Sequence, residues 1–245
     1  MNLPKYVLFV IVVPGLVLVS LSFTNISFTK ASSPGRTSRI DSVKVNVSKA
    51  ISPHPLLASD LYQKALQGFR LISSGDGLKK NILTIVDLSK PSSEKRLFII
   101  DMQTEKLLMH TYVAHGRNSG ENKASRFSNA DGSHQSSLGF YLTGSTYSGS
   151  NGYSMRLKGL EKGFNDNAER RSIVMHGATY VSEDVIHSTG RLGRSWGCPA
   201  VSQKEHKQII DLIKDGSCLF VYAPEKAYLS RSVLIKEIND STPIL

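Results

Sequence analysis

The hydrophobic pattern of the chain changes from helical to strand-like near residue 80. Between residues 59 and 72, apolar side chains recur at the three- and four-residue spacing of an amphipathic helix. They are Leu61, Tyr62, Ala65, Leu66 and Phe69. Beyond residue 80, short apolar runs bounded by Gly, Ser, Pro and Asn predict strands. The predicted strands are 82–87, 96–101, 107–114, 140–144, 154–157, 172–175 and 218–222, and helical spacing returns over 205–213.

This pattern predicts a mainly β domain with a few helices, a mixed α/β class. We assign the domain to residues 56–224, with a helix at 59–72 and a β-rich part at 80–224. Residues 225–245 are expected to form a loosely attached C-terminal tail. The Gly-, Ser- and Asn-rich segment 116–137 is longer than the loops that compact domains usually keep without a functional reason.

The first 30 residues have the pattern of an export signal. Lys5 precedes an apolar stretch that begins at Tyr6, and small polar residues follow it. This predicts a signal peptide over 1–30, with an uncleaved membrane anchor over 6–23 as the alternative. Residues 31–55, rich in Ser, Thr, Lys and Pro, are expected to be a flexible linker. Either interpretation places the domain outside the cytoplasm, in the periplasm or cell envelope.

The charge of the chain favours an anionic partner. The 245 residues include 30 Lys and Arg against 20 Asp and Glu, a net charge of +10. The basic residues are scattered, however, and neither a zinc-finger nor an RNP-type signature is present, which argues against nucleic acid. The composition therefore indicates a general attraction to a polyanion, and nothing in it indicates an obligate protein partner.

The segment GRLGRSWGCPAVS, residues 190–202, has neither a helical nor a strand pattern. It holds the only Trp and one of the two Cys of the chain. A thiol acts as a nucleophile in its thiolate form, which the neighbouring Arg191 and Arg194 would favour. Gly197 permits a sharp turn, so that the N–H groups of Gly197 and Cys198 could converge on one oxyanion.

A nucleophile also needs a base, and His176 follows the apolar run 172–175 directly. Cys198 and His176 are therefore a candidate pair for acyl transfer. His115-Gly116 repeats the His176-Gly177 pattern after another predicted strand, so His115 is an alternative base.

Two other interpretations of Cys198 compete with catalysis. In an exported protein it could form a disulfide with Cys218, but Cys218 lies in an apolar strand, where a free Cys is an ordinary small hydrophobe. His115, His187 and His206 could join Cys198 in a zinc site. Neither H-E-x-x-H nor paired C-x-x-C spacing supports this, so no metal or nucleotide cofactor is implied.

Residues 172–202 resemble the L,D-transpeptidase catalytic domain of bacterial cell-wall enzymes, the YkuD-like family. The family pattern is His-Gly, a loop, and Ser/Thr-x-Gly-Cys, which this chain matches with His176-Gly177 and Ser195-Trp196-Gly197-Cys198. The resemblance covers about residues 80–224. Trp196 stands where the commonest form has His, and Ala200 where it often has Arg or Asn. These departures resemble a divergent branch marked by Arg-Ser-x-Gly-Cys-Pro.

The resemblance implies a β-sandwich or barrel-like catalytic domain with Cys198 as nucleophile and His176 as base. The substrate it implies is the peptidoglycan stem peptide, cross-linked through a thioacyl-enzyme. The substrate-binding residues expected from it are Ser195, Trp196, Arg194, His115 and Gly177, and the candidate carboxylate-binding arginines are Arg194, Arg191, Arg170 and Arg171. An L,D-carboxypeptidase or endopeptidase on the same scaffold and a non-catalytic peptidoglycan-binding module stay open as alternatives.

Overall fold

The computed structural model of the protein describes residues 54–75 and 77–236, which all belong to one compact unit, Asn46–Leu245. The predicted signal or anchor, nearly all of the predicted linker and residues 237–245 lie outside the described residues. Within the described part, every helix is too short or too polar to cross a bilayer.

The described residues contain one eight-stranded mixed sheet and four α-helices. The strands are β1 (Ile82–Asp87), β2 (Leu97–Asp101), β3 (Lys106–Thr111), β4 (Gly139–Gly149), β5 (Gly152–Gly159), β6 (Val174–Ala178), β7 (Ala200–Ser202) and β8 (Cys218–Tyr222). The helices are α1 (Ser59–Ser73), α2 (Glu183–Thr189), α3 (His206–Ile213) and α4 (Lys226–Arg231). The strand order is β3-β2-β1-β8-β4-β5-β6-β7. The predicted mainly β fold with a few helices is confirmed.

Strand β8 lies in the middle of the sheet. It runs parallel to β1 and antiparallel to β4, and Cys218 is opposite both Leu83 and Leu142. All five residues of β8 are buried, because neighbouring strands and the core cover it on every side. This explains why its sequence is an unbroken apolar run rather than an alternating one.

The two ends of the strand order approach each other. Ala114, just beyond the edge strand β3, forms an isolated bridge with Ala200 of the other edge strand, β7. The Ala114 N–H donates to the Ala200 carbonyl at 2.8 Å, and the Ala200 N–H donates in return at 3.4 Å. The sheet therefore curls towards a barrel-like closure, and the closure lies next to Cys198 in the chain.

Helix α1 packs tightly on the sheet. Its buried face carries the apolar residues that the sequence spacing placed there. Gly68 faces the ring of Phe140 in β4, where a Cβ would lie only 2.1 Å from the Phe140 Cζ atom. The close approach of helix and sheet thus depends on a residue without a side chain.

Three elements were not expected from the sequence. Strand β7 has only three residues, and α2 buries none of its side chains, so neither has a readable hydrophobic period. Helix α4 lies in the segment predicted as a loosely attached tail. The described part of that segment is instead packed on the core, with Tyr228 fully buried and Ile235 only 5 % exposed.

The Glu161 side chain links α4 to strand β4 through hydrogen bonds to both elements. This carboxylate, 5 % exposed, accepts hydrogen bonds from the Phe140 N–H at 2.7 Å and the Tyr228 hydroxyl at 2.9 Å. The Ser232 hydroxyl, just after α4, also donates to it. Burial raises the pKa of Glu161, and these three donors act against the rise.

We expect Glu161→Gln to destabilise the domain by about 1–3 kcal/mol at neutral pH, since the amide presents a donor where three donors already converge. A carboxyl group whose pKa is raised in the folded state contributes less stability as the pH rises above its unfolded pKa of about 4.3. This loss occurs in the wild type and not in the amide variant. The difference between their free energies of unfolding should therefore become smaller from pH 4 to pH 8. Denaturant unfolding across this range measures it, with exposed Glu94→Gln as control. A gap that widens with pH would contradict the assignment.

Candidate active site

Cys198 lies in a turn that Ser195 holds closed. The Ser195 hydroxyl donates to the Cys198 carbonyl at 2.6 Å and accepts from the Gly197 N–H at 3.1 Å. The Ser195 backbone is itself fixed, because its N–H donates to the His115 carbonyl and its carbonyl accepts from the Arg117 N–H. The side chain is only 4 % exposed, so its visible role is to shape the turn. Contact between Ser195 and substrate stays a prediction.

The Cys198 thiol lies against the start of β6. The Val174 N–H donates to Sγ at 3.5 Å, and Sγ donates to the Ser172 carbonyl at 3.8 Å. Ser172 turns that carbonyl towards the thiol with a left-handed backbone, φ +54°. The described residues show no hydrogen bond between this thiol and His176, so in this conformation the thiol is held by the backbone groups of Val174 and Ser172.

Gly197 has the backbone conformation that the sharp turn needs. Its φ is +120°, and a Cβ at this position would lie 2.8 Å from the Gln135 carbonyl oxygen. Its N–H, expected to help hold an oxyanion, donates to Ser195 Oγ instead. The N–H of Cys198 lies near its own Sγ, and its part in holding an oxyanion stays a prediction.

His176 stands two residues along β6 from Val174, on the same face of the strand, and its partner in β7 is Ala200. Its Nδ1 lies 2.9 Å from the Gly177 carbonyl, an arrangement that requires a proton on Nδ1. Nε2 is therefore left as the acceptor. Gly177 is packed too closely for a side chain, since a Cβ would lie 2.6 Å from Gln203 Oε1.

The two groups are both neutral in the resting protein. Burial raises the pKa of the Cys198 thiol, against the effects of the Val174 N–H and the Arg171 charge. Burial also lowers the pKa of His176, and a positive charge on His206 would lower it further. The pair is therefore thiol and imidazole near neutral pH, and acyl transfer by Cys198 would require the thiol proton to move to a base.

His115 has a different environment from His176 despite the shared His-Gly pattern. It is 1 % exposed, its Nδ1 accepts from Arg96 Nη2 at 2.8 Å, and its Nε2 lies 3.3 Å from the Gly120 carbonyl. Burial and the Arg96 charge lower its pKa to about 4. Both ring nitrogens are occupied, so neither is free to act as a base or to bind substrate.

The arginines of the 190–202 segment do not surround the thiol. Arg191 Nη2 lies 3.1 Å from Glu121, and Arg194 Nη1 lies 2.6 Å from the same carboxylate. Arg194 also donates to the carbonyls of Arg117 and Gly120. The charge that lowers the Cys198 pKa comes from Arg171 instead, so the basicity noted in the sequence serves mainly to hold the 116–124 loop.

Solvent reaches the turn of residues 195–198, the candidate catalytic turn, beside Trp196. The indole is 69 % exposed and stacks on the His134 ring, with ring centroids 5.0 Å apart. The cavity behind the turn is only ≈ 10 Å³, too small for a substrate. A larger groove of ≈ 570 Å³ lies at the ends of β6 and β7, but neither Cys198 nor His176 lines it.

Tyr180 is a neighbour of Cys198 that sequence reasoning missed. Burial and the charge of the thiolate raise its pKa to about 12, so the phenol stays protonated near Cys198. It follows β6 in an irregular segment, and no sequence spacing rule marks it.

Both cysteines are free, with Cys198 partly exposed and Cys218 buried in β8. Within the described residues, no cluster of His, Cys, Asp or Glu could hold a metal ion.

The sequence from 54 to 222 matches the family model for the L,D-transpeptidase catalytic domain. This match covers more than half of the chain, and the chain belongs to that family. It includes every residue of the site described above. No curated protein matches the sequence significantly.

Solved structures similar to this one include several L,D-transpeptidases. One from Mycobacterium smegmatis is 12 % identical, with 58 % of this chain and 59 % of that chain covered and a TM-score of 0.37. One from Stackebrandtia nassauensis is 16 % identical, with 69 % of both chains covered and a TM-score of 0.36. The helical cell shape determining protein of Campylobacter jejuni is 14 % identical, with 66 % and 57 % covered and a TM-score of 0.41. This chain spans less than two thirds of the length of the Mycobacterium and Campylobacter proteins.

Proposed function

We propose that this protein is an L,D-transpeptidase that uses Cys198 to transfer an acyl group between peptidoglycan stem peptides. The observation that supports this most is a free cysteine, partly exposed as a residue, in a turn beside the strand that carries His176. The net charge of +10 suits a polymer rich in carboxylates. The predicted export segment 1–30 would deliver the domain to the cell wall.

In the first half-reaction, Cys198 Sγ attacks the carbonyl of the L-centre of a diamino acid that precedes a terminal D-Ala. The thiol proton passes to His176 Nε2 as the S–C bond forms, and the Cys198 N–H stabilises the oxyanion. His176 then returns the proton to the nitrogen of D-Ala as the C–N bond breaks. This leaves a thioester on Cys198 and releases D-Ala.

In the second half-reaction, the amine of another stem peptide attacks the thioester. A new amide bond forms, the S–C bond breaks, and the amine proton returns to the thiolate through His176. If water attacks instead, the product is a shortened peptide, which is the carboxypeptidase alternative. A non-catalytic wall-binding module would need neither a free thiol nor a fixed His176 tautomer, and the chain has both.

The test is to incubate the full chain with purified disaccharide tetrapeptide and analyse the products by mass spectrometry. Cross-linked dimers with release of D-Ala support the transpeptidase. Tripeptide alone would replace it by the carboxypeptidase. No product, together with no adduct after incubation with a carbapenem and retained binding to isolated cell walls, would favour the binding module.

A further inference from the structure

Arg171 connects the loop before β4 to the catalytic turn. Its Nη1 donates to the Ser128 carbonyl at 2.8 Å and to the Ser137 hydroxyl. Its Nη2 donates to Ser133 Oγ at 3.1 Å and to the Gln135 carbonyl at 2.8 Å. One guanidinium thus fixes four points of the segment 128–137, which has no helix or strand of its own.

The same guanidinium lies against the backbone of the nucleophile. A Cβ placed on Gly197 would be 3.3 Å from Arg171 Nη2, so the charged group packs on the residue before Cys198. Arg171 also directly precedes Ser172, whose carbonyl accepts the hydrogen bond from the Cys198 thiol. The charge is partly buried and has no direct salt bridge among the described residues, so solvent screens it less than a surface arginine, while the Asp131 carboxylate acts on it only at longer range.

We propose that Arg171 is a positioning residue whose fixed positive charge stabilises the thiolate of Cys198 and whose hydrogen bonds hold segment 128–137 against the catalytic turn. This inference rests on the proposed function in taking Cys198 as the nucleophile. The other titratable groups near the thiol are His176 on β6 and Tyr180 after it. Both are neutral at pH 7.5, because burial lowers the pKa of His176 and raises that of Tyr180 to about 12.

The sequence supplies a matched control in Arg170. This residue carries the same charge one position earlier, but it is exposed and pairs with Asp131 at 3.1 Å. Replacing Arg170 by Met removes one positive charge from the same part of the chain while leaving the contacts of Arg171 intact. Any effect that depends only on net charge should appear in both variants.

The experiment measures the rate of Cys198 alkylation by iodoacetamide from pH 6 to pH 10 in the full chain, followed by intact mass, for Arg171→Met, Arg171→Lys and Arg170→Met. We expect Arg171→Met to react about tenfold more slowly at pH 7.5, because loss of the fixed positive charge raises the thiol pKa and leaves less thiolate. Its rate should meet that of the wild type at high pH. Arg171→Lys should keep most of the wild-type rate, and Arg170→Met all of it.

Three results would overturn the proposal. One is a pH midpoint in Arg171→Met equal to that of the wild type, with only the high-pH rate changed, as a purely structural role requires. Another is a lysine variant as slow as the methionine variant, and the third is an equal shift in Arg170→Met. If Arg171→Met does not fold, Arg171→Gln carries the same comparison, since its amide keeps one donor for the loop carbonyls.

Alkylation needs no substrate, so it separates this inference from the proposed function. A shifted midpoint in a protein that does not process stem peptides would leave Arg171 as assigned and reject only the transpeptidase. Turnover of stem peptides without a shift in the pH midpoint of alkylation would support the transpeptidase and reject the role assigned to Arg171.

Discussion

Replacing Cys198 by alanine is expected to abolish acyl-enzyme formation and to lower cross-linking by about 10⁴-fold or more. The reason is that Sγ forms the bond to the acyl group, and no other group at the site can replace it. Removing the nucleophile of a comparable acyl-transfer site costs about 10⁶-fold. Intact mass after incubation with tetrapeptide or a carbapenem, together with product analysis, measures the effect.

Cys218→Ala is the matched control for this loss. Cys218 is the other cysteine, fully buried in β8, where burial raises its pKa well above the ordinary value. Its alanine variant should still form the adduct and the cross-linked product. An adduct that persists in Cys198→Ala and disappears in Cys218→Ala would contradict the assigned nucleophile.

Replacing His176 by asparagine should lower kcat/KM by about 10²–10⁴-fold near pH 7, the usual contribution of a positioned base. The asparagine amide nitrogen stands near the place of Nδ1, so it can keep the hydrogen bond to the Gly177 carbonyl. It supplies no acceptor in the place of Nε2. The variant therefore removes the base while retaining the local geometry.

The pH profile distinguishes this role from a structural one. Without a base the reaction depends on spontaneous ionisation of the thiol, whose pKa burial raises. The variant should therefore recover part of its activity as pH rises, while the wild type is already active near neutrality. His206→Asn serves as control, because His206 lies near His176 and bonds only to the Gln203 carbonyl among the described residues. An equal loss in both variants, constant with pH, would argue against His176 as the base.

The sequence could predict the strands that carry the site, because their apolar runs reflect burial along one element. His176 and Cys198 could also be singled out from the sequence. His176 follows an apolar run, and Cys198 lies in a Gly-rich segment. The roles of the neighbouring residues could not be predicted. His115 and His176 have the same local pattern, and only the buried Arg96, from a distant strand, makes them different.

The hydrogen bonds within the turn of residues 195–198 also could not be predicted from the sequence. Gly197 is needed for its backbone conformation, as expected, but its N–H is taken by Ser195 Oγ. Among four candidate arginines, the sequence offered no reason to prefer Arg171. Its nearness to Cys198 follows from the path of segment 128–137, which has no periodic pattern. Short elements such as α4 depend on one buried partner, Glu161, rather than on their own six residues.

The place of β8 in the sheet has a consequence for how the protein becomes active. Strands β1–β3 on one side and β4–β7 on the other are joined in the sheet order only through β8, the last of the described strands to be synthesised. Pairs such as Leu83 with Cys218 close nearly the whole domain into one loop, which makes folding slow relative to domains with local contacts. Because Cys198 precedes β8 in the chain, the nascent protein carries this thiol without a completed sheet until β8 has been synthesised. We therefore expect the proposed acyl transfer to begin only when β8 has inserted into the sheet.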